Sequence, residues 1–299
     1  MEVPSSDYHD HEYPNTEIEE HIPKVKSASD IILHDPFGGG FKSSSKAEST
    51  SSKSSKKMVE DEKEFTIFSK CAAEFIAVLL FVYIGSMQAV AVGDGITHAA
   101  LAHGVAIFVL ASTFGGVSGA HINPAVTFGI ALVGRITPIH AVCYIGSQLL
   151  GSVFGALLVR ISLSASVYSE IGAGATLCGH AVTWQAGLTA EIVTTYILVQ
   201  TVLLCAVDTE KNRLAPLAIG LSLVAEIFAA GAISGASMNP ARSFGPNIMG
   251  QFFLHQERIE KLYMFWSFHW IYYIGPVLGA FIAAGVYRMF FARDYRVLA

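Results

Sequence analysis

The tripeptide Asn-Pro-Ala occurs twice in this sequence, as Asn123-Pro124-Ala125 and as Asn239-Pro240-Ala241. Proline is pre-organised for the first turn of a helix, where its missing N–H costs nothing, so each tripeptide predicts a helix start. An asparagine directly before that proline can cap the helix with its side-chain oxygen and still present amide N–H donors. Two such amides suit reversible hydrogen bonding to a small polar molecule, without covalent chemistry.

Residues that could act in catalysis or bind a metal do not occur in the patterns that these functions require. The sequence has no nucleophile paired with a base, no phosphate-binding loop and no cluster with metal-ligand spacing. Its four cysteines, at positions 71, 143, 178 and 205, form no CxxC pair, and we interpret them as packing residues. We therefore predict that the protein is not an enzyme, has no cofactor or metal, and does not bind nucleic acid.

The segments that carry the two tripeptides are copies of one unit. Residues 101–129 and residues 217–245, which are offset by 116, share 12 identical residues in 29 aligned positions. Glu74 precedes Asn123 by 49 residues, and Glu191 precedes Asn239 by 48. The repeat therefore extends well beyond the tripeptides.

Composition identifies the elements that must position these residues. Apolar residues make up 52% of the chain and charged residues 14%, against about 25% charged in an average soluble domain. Residues 1–64 hold 22 of the 43 charged side chains, which leaves the remainder unusually apolar. A membrane span needs about 20 mostly apolar residues. Six segments qualify, at residues 68–91, 98–117, 138–160, 182–207, 215–233 and 263–289.

Two shorter apolar runs, at residues 124–133 and 240–253, begin at the Asn-Pro pairs. Such half-helices are tolerated in a membrane only where their free backbone groups line a water-filled cavity, and inverted repeats bring them together near the midplane. Three spans per unit is an odd number, so the second copy must insert upside down. The predicted fold is an all-α membrane protein, a six-span bundle with two half-helices, built from repeat 1 (about 68–160) and repeat 2 (about 182–289).

Lysine and arginine residues near the span ends predict the orientation. Ten lie on the side of the N-terminal tail, and three, Arg160, Arg258 and Lys261, lie opposite. We therefore predict a multi-pass protein with both termini in the cytoplasm, with residues 1–64 as a disordered tail and residues 293–299 as a short C-terminus. The serine-rich part of the tail is either a phosphorylation element or a solvated extension. The sequence does not distinguish the plasma membrane from an organelle membrane.

With its paired Asn-Pro-Ala boxes, half-helices, six spans and the sequence ARSFGP at 241–246, the chain resembles the aquaporin (major intrinsic protein) family over about residues 65–292. The resemblance implies a homotetramer in the lipid bilayer with one pore in each subunit. Such a pore passes water and small neutral solutes and excludes ions and protons. The two half-helix N-termini, each worth roughly +0.5 charge, oppose cations where they converge.

At Arg242 the two repeats differ in charge, because the equivalent residue of the first repeat is the apolar Val126. A formal charge this deep predicts a functional group that faces a wet cavity. The resemblance places Arg242 in a narrow selectivity filter with His103, Ile227 and Ala236. A neutral His103 would offer one donor and one acceptor to a passing solute. This filter is similar to that of the aquaporin eight and tonoplast intrinsic types, which implies ammonia beside water and, for some members, hydrogen peroxide.

The same resemblance implies that Glu74 and Glu191 support the loops that carry the boxes. It leaves a glycerol or urea channel as the main alternative, because Ile227 and Ala236 predict a wider filter than a water-only channel has. A secondary transporter or a structural junction protein remains as an alternative from another class. The sequence leaves the roles of His180 and Asn247 open.

Overall fold

The computed structural model describes residues 64–90, 95–209, 212–254 and 265–293. The tail predicted at residues 1–64 lies outside them except for Glu64, and so does most of the predicted C-terminus. Within the described residues the protein is all helical and has no strand, which confirms the predicted fold class.

Nine α-helices have both ends in the described part of the chain, which also contains short 3-10 and π turns at their ends and a helical segment at residues 265–267. In chain order they are α1 (Ile67–Met87), α2 (Ile96–Ser118), α3 (Pro124–Leu132), α4 (Pro138–Ser162), α5 (Ala165–Glu170), α6 (Trp184–Val202), α7 (Ala215–Ala230), α8 (Pro240–Phe253) and α9 (Ile271–Val286). The 3-10 turns are Gln88–Val90 and Gly172–Gly174, and the π turns are Leu203–Val207 and Tyr287–Phe291.

The starts of the long helices have clear local causes. The hydroxyls of Thr66, Thr137 and Thr183 cap α1, α4 and α6 by accepting a hydrogen bond from a backbone N–H in the first turn. Such a cap satisfies one of the free donors at the helix start. Pro138 also occupies the first position of α4, where a proline costs nothing.

Five helical segments in the described part of the chain are long and apolar enough to cross a membrane: Ile67–Val90, Ile96–Ser118, Pro138–Ser162, Trp184–Val207 and Phe265–Phe291. The remaining predicted span, at residues 215–233, is shorter than expected. Its helix, α7, ends at Ala230 after 16 residues, because the chain turns there to enter the loop before the second box. At about 1.5 Å per residue, α7 is roughly 24 Å long.

The internal repeat is visible in the packing. Helix α1 packs on α4, α6 packs on α9, and α2 of the first repeat crosses α7 of the second. At this crossing Gly104 and Gly220, which occupy equivalent positions in the two repeats, face each other. A Cβ at Gly104 would lie 2.6 Å from the carbonyl oxygen of Gly220, and one at Gly220 would lie 2.5 Å from that of Gly104. Only residues without a side chain allow the two backbones to approach this closely.

Candidate pore and selectivity filter

The two half-helices, α3 and α8, begin at the Asn-Pro-Ala boxes, and each asparagine caps its own helix. Asn123 Oδ1 accepts a hydrogen bond from the backbone N–H of Ala125 at 2.8 Å. Asn239 Oδ1 accepts from Ala241 at 3.0 Å and from Arg242 at 3.2 Å. These bonds hold both carboxamide oxygens at the helix ends, so only the amide nitrogens are left to face a solute.

The amide nitrogens also join the two repeats. Asn123 Nδ2 donates to the carbonyl oxygen of Met238 at 2.8 Å, and Asn239 Nδ2 donates to that of Ile122 at 3.0 Å. Each amide has two N–H donors and uses one of them in this exchange. Among the residues that the structure describes, the second donor of each asparagine has no partner, and both asparagines line the same cavity.

The loops before the boxes have the same unusual backbone in both repeats. Ala120 and Ile122 have φ values of 47° and 56°, and their repeat equivalents Ala236 and Met238 have values of 46° and 53°. Positive φ is uncommon for residues with a side chain and persists only where the surroundings enforce it. The matching values show that both loops are held in one specific conformation.

Glu74 supports the first of these loops from inside the bundle. Its carboxylate accepts from Ser118 Oγ at 2.6 Å, from the backbone N–H groups of His121 and Ile122 at 2.9 and 2.8 Å, and from Gln148 Nε2 at 2.8 Å. Four donors compensate a carboxylate that is completely buried.

Glu191 occupies the equivalent position in the second repeat. It accepts from Ser234 Oγ at 2.7 Å and from the backbone N–H groups of Ser237 and Met238 at 2.8 and 2.7 Å. The two glutamates thus bind the N–H groups that the positive-φ backbone turns toward them.

A cavity of about 310 Å³ leads to the boxes between the two repeats. Thr209 and Asn212, in the connection between α6 and α7, lie in its lining together with Asn123 and Asn239. The rest of its surface is mainly apolar, from residues such as Phe81, Val126, Ile130, Leu198 and Leu223. His121 and Ser237 are the other polar residues in this lining.

A second cavity, of about 240 Å³, brings together all four residues of the predicted filter. His103, Ile227, Ala236 and Arg242 line it, with Gln88, Ala99, Ala175, Thr176, Leu177 and Gly235. The four come from α2, α7, the loop before the second box, and α8. Ile227 and Ala236 contribute apolar side chains to this lining, and His103 and Arg242 contribute polar ones.

Arg242 is held in place by three neutral acceptors. Its Nη1 donates to the carbonyl oxygen of Gly174 at 2.8 Å, its Nη2 to that of Gly85 at 3.5 Å, and its Nε to His103 Nε2 at 3.2 Å. The side chain is only 9% exposed. Because none of these partners carries a charge, the positive charge of the guanidinium is not neutralised by them.

The hydrogen bonds of His103 show which of its ring nitrogens carries the proton. Nδ1 lies 2.8 Å from the carbonyl oxygen of Ala99, which can only accept, so Nδ1 is the donor. Nε2 is then the acceptor for Arg242. The expectation that His103 offers one donor and one acceptor to a solute is therefore not met, because both ring nitrogens are already used within the protein.

The filter includes a wall that sequence reasoning missed. Residues 174–177, in the connection between α5 and α6, supply the Gly174 carbonyl that holds Arg242 and three further lining residues. This segment, Gly-Ala-Thr-Leu, has no hydrophobic period, so the sequence carries no signal for its position.

The two residues whose roles the sequence left open lie elsewhere. His180 is exposed and lines a separate cavity of about 290 Å³ with Cys178. Asn247 is completely buried, and its Nδ2 donates to the carbonyl oxygen of Phe265 at 2.7 Å and to His269 Nδ1 at 2.8 Å. Asn247 therefore joins α8 to the start of the last span.

Comparisons with known proteins agree with this geometry. Residues 61–287 match the family model described as major intrinsic protein. The chain is 41% identical over 231 residues to aquaporin TIP1-2 of Musa acuminata, which covers 72% of this chain and 83% of that protein. It is 35% identical over 224 residues to aquaporin-8 of Rattus norvegicus, covering 74% of this chain and 80% of that protein.

Among solved structures, the aquaglyceroporin from Plasmodium falciparum superimposes with a TM-score of 0.65 at 20% identity. The match covers 74% of this chain and 96% of that one. At this level of identity the likeness establishes the shared fold.

Proposed function

Because the chain belongs to the major intrinsic protein family, whose members are channels and not enzymes, we propose that it is a passive channel for water and ammonia that excludes ions and protons. The observation that carries the proposal is the composition of the filter. One cavity combines an uncompensated guanidinium, a histidine, the apolar Ile227 and the small Ala236. Hydrogen peroxide, another small neutral molecule, is a further proposed permeant.

Exclusion of cations follows from three positive groups along one path. Arg242 keeps its full charge in the filter, and the N-termini of α3 and α8 meet at the boxes, each worth roughly half a charge. A cation that lost its water here would meet like charges in a medium of low dielectric constant. A neutral molecule meets no such barrier.

The apolar side of the filter favours ammonia over a strictly water-selective function. Ile227 is 5% exposed and Ala236 is 6% exposed, so their side chains are part of the packed interior, and as hydrocarbon groups they offer no hydrogen bond. Ammonia forms weaker hydrogen bonds than water and loses less when one side of its path is apolar. The relatives named aquaporin-8 and aquaporin TIP1-2 support the channel class and do not identify the solute.

We further propose that the channel is a homotetramer in the lipid bilayer with both termini in the cytoplasm. Large apolar side chains cover much of the outside of the bundle, including Phe68, Val105, Ile139, Ile161 and Phe281. Apolar patches of this extent are stable only against lipid or other subunits.

The experiment is a series of flux measurements on purified protein in vesicles. Osmotic shrinkage in sorbitol measures water flux, and an internal pH dye measures ammonia flux after addition of an ammonium salt. Swelling in glycerol or urea tests the alternative of a glycerol or urea channel. Vesicles without protein and vesicles with Ile227→Trp, which fills the filter, are the controls. We expect water and ammonia fluxes well above both controls, with glycerol and urea at the level of the empty vesicles.

Each alternative has its own result in this series. Glycerol flux comparable to water flux would support a glycerol channel. Flux that saturates or requires an ion gradient would indicate a transporter. Absence of water flux would favour a structural role, and ammonia flux equal to that of empty vesicles would refute the ammonia part of the proposal.

A further inference from the structure

The imidazole of His121 has an unused ring nitrogen at the cavity of about 310 Å³ that contains the boxes. His121 is partly buried, and of the cavities described above it lines only this one. Its Nε2 atom has no hydrogen-bond partner among the residues that the structure describes. Unlike the unpaired carboxylate oxygens of Glu226, which are closed off, Nε2 remains accessible to a water-sized molecule.

The surroundings of the ring direct Nε2 toward this cavity. On one side the ring meets Tyr144 edge to face, with 5.1 Å between the centroids. Nδ1 lies 3.1 Å from the hydroxyl oxygen of Thr127, which is completely buried. Nε2 lies instead beside Gly119, another lining residue of the cavity, where an added Cβ would be 3.4 Å away. Because glycine has no side chain, nothing from this position covers Nε2.

The hydrogen bonds of Thr127 show which ring nitrogen of His121 carries the proton. Thr127 Oγ1 donates its single hydrogen to the carbonyl oxygen of Asn123 at 3.0 Å, because a carbonyl can only accept. It also accepts from Gln148 Nε2 at 2.9 Å. Only a lone pair is left to meet His121, so Nδ1 is the donor of their hydrogen bond. In the neutral ring, Nε2 is then without a proton and can only accept.

The equivalent residue of the second repeat, Ser237, has no such free acceptor. Its Oγ donates to the carbonyl oxygen of Asn239 at 3.0 Å, lies 2.6 Å from Ser243 Oγ, and accepts from the backbone N–H of Asn239 at 3.4 Å. The two repeats therefore match at the boxes and differ two residues earlier. The first repeat contributes a free side-chain acceptor there, and the second does not.

A solute at the boxes needs acceptors as well as donors. The second N–H groups of Asn123 and Asn239 can donate to its lone pair, which turns its own hydrogens away from them. Backbone carbonyl groups can accept some of these hydrogens, and His121 adds a side-chain acceptor on the same cavity. We propose that Nε2 of His121 accepts a hydrogen bond from water or ammonia next to the boxes and so raises the rate at which both pass. This inference rests on the proposed function.

The test compares His121→Asn with His121→Gln in vesicles. The amide of asparagine reaches the position of Nδ1 and can keep the bond to Thr127, but it leaves nothing at the position of Nε2. The longer glutamine reaches the position of Nε2 and can accept there. We expect His121→Asn to lower water and ammonia permeability about threefold to tenfold, the range for one hydrogen bond, and His121→Gln to stay within about twofold of the wild type.

The same two substitutions at His180 are the matched control. His180 is exposed and lines neither the cavity at the boxes nor the filter cavity. We expect His180→Asn and His180→Gln to have equal permeabilities. Thermal unfolding in detergent shows whether each variant is folded.

A second measurement uses the wild type and needs no variant. Solid-state NMR in vesicles with nitrogen-labelled histidine distinguishes a ring nitrogen that carries a proton from one that does not, and it shows which nitrogens contact water. We expect Nε2 of His121 to be without a proton above neutral pH and to contact water. A protonated Nε2, or one without water contact, overturns the role of His121.

The outcomes separate this inference from the proposed function. A wild type that conducts, together with an asparagine variant that conducts as well as the glutamine variant or better, overturns the role of His121 and leaves the channel function standing. A wild type that passes water and no ammonia overturns the ammonia part of the proposed function alone, because His121 can still accept from water. A wild type without either flux overturns the proposed function and the role of His121 together.

Discussion

At the scale of residues, Arg242 supplies the positive charge of the filter and neutral hydrogen-bond acceptors hold its side chain in place. Gly174, Gly85 and His103 all contribute acceptors, and all are neutral, so the guanidinium is fixed without losing its charge. His103, which the sequence presents as a solute-binding group, is bonded to Arg242 instead. A buried charge compensated only by dipoles repels cations more strongly than an ion pair would.

Replacing Arg242 with valine, the residue at its repeat position, tests this role. We expect Arg242→Val to raise proton leak on the order of tenfold, because the charge that opposes cations in a low-dielectric site is removed, and to leave water permeability within about twofold. A pH dye inside vesicles under an imposed pH gradient measures the leak. As a control, Arg160→Val removes an arginine outside the filter and should not increase the proton leak. An Arg242→Val variant with the same proton leak as the wild type would contradict the role of Arg242 in excluding cations.

At the scale of elements, the two half-helices and their loops form one rigid unit. Positive-φ residues at equivalent positions turn backbone N–H groups toward Glu74 and Glu191, and the two asparagines exchange hydrogen bonds with the opposite loops. The helices around this unit must approach closely to enclose it. The crossing of α2 and α7 at Gly104 and Gly220 is one such close approach.

Alanine substitutions on α2 distinguish close packing from helix propensity. A Cβ at Gly104 would meet Val224 Cγ2 and the Gly220 carbonyl oxygen, so Gly104→Ala should destabilise the fold by about 1–3 kcal/mol. At Gly115 an added Cβ meets nothing within 4 Å, so Gly115→Ala should be neutral or stabilising by up to about 1 kcal/mol. Thermal unfolding of both variants in detergent provides the measurement. Equal melting temperatures would show that the crossing is not tightly packed.

At the scale of the whole molecule, neither repeat can form the pore alone. Asn123 needs the Met238 carbonyl from the second repeat, and Asn239 needs the Ile122 carbonyl from the first. The filter likewise combines His103 from the first repeat with three residues from the second. Duplication provides the matching half-helices, and the differences between the copies provide selectivity.

The orientation of the whole chain is open to a direct test. We expect protease added to the cytoplasmic side of sealed vesicles to remove an epitope tag at residue 1 and one at residue 299, because Lys and Arg near the span ends favour the cytoplasm. A tag between α5 and α6, at residues 171–183, should be cut only from the opposite side. Cleavage of the two terminal tags from opposite sides would refute an even number of crossings.

Much of this protein was determined by sequence alone, because the relevant signals are local or repeated. Apolar runs of span length, the doubled Asn-Pro-Ala box and the Asn-Pro helix starts predicted the all-helical membrane fold, and the structure and comparisons confirmed it. The length of α7 was overestimated, since hydrophobicity continues past the point where the backbone turns.

Only the tertiary structure decided how the filter is built. The tautomer of His103 depends on the Ala99 carbonyl one turn away and on Arg242, 139 residues further along the chain. The wall from Gly174 to Leu177 has no periodic pattern, so packing against Arg242 and Gly235 sets its place. Sequence patterns report which face of an element is apolar, but hydrogen bonds between distant loops form only when the whole chain has folded.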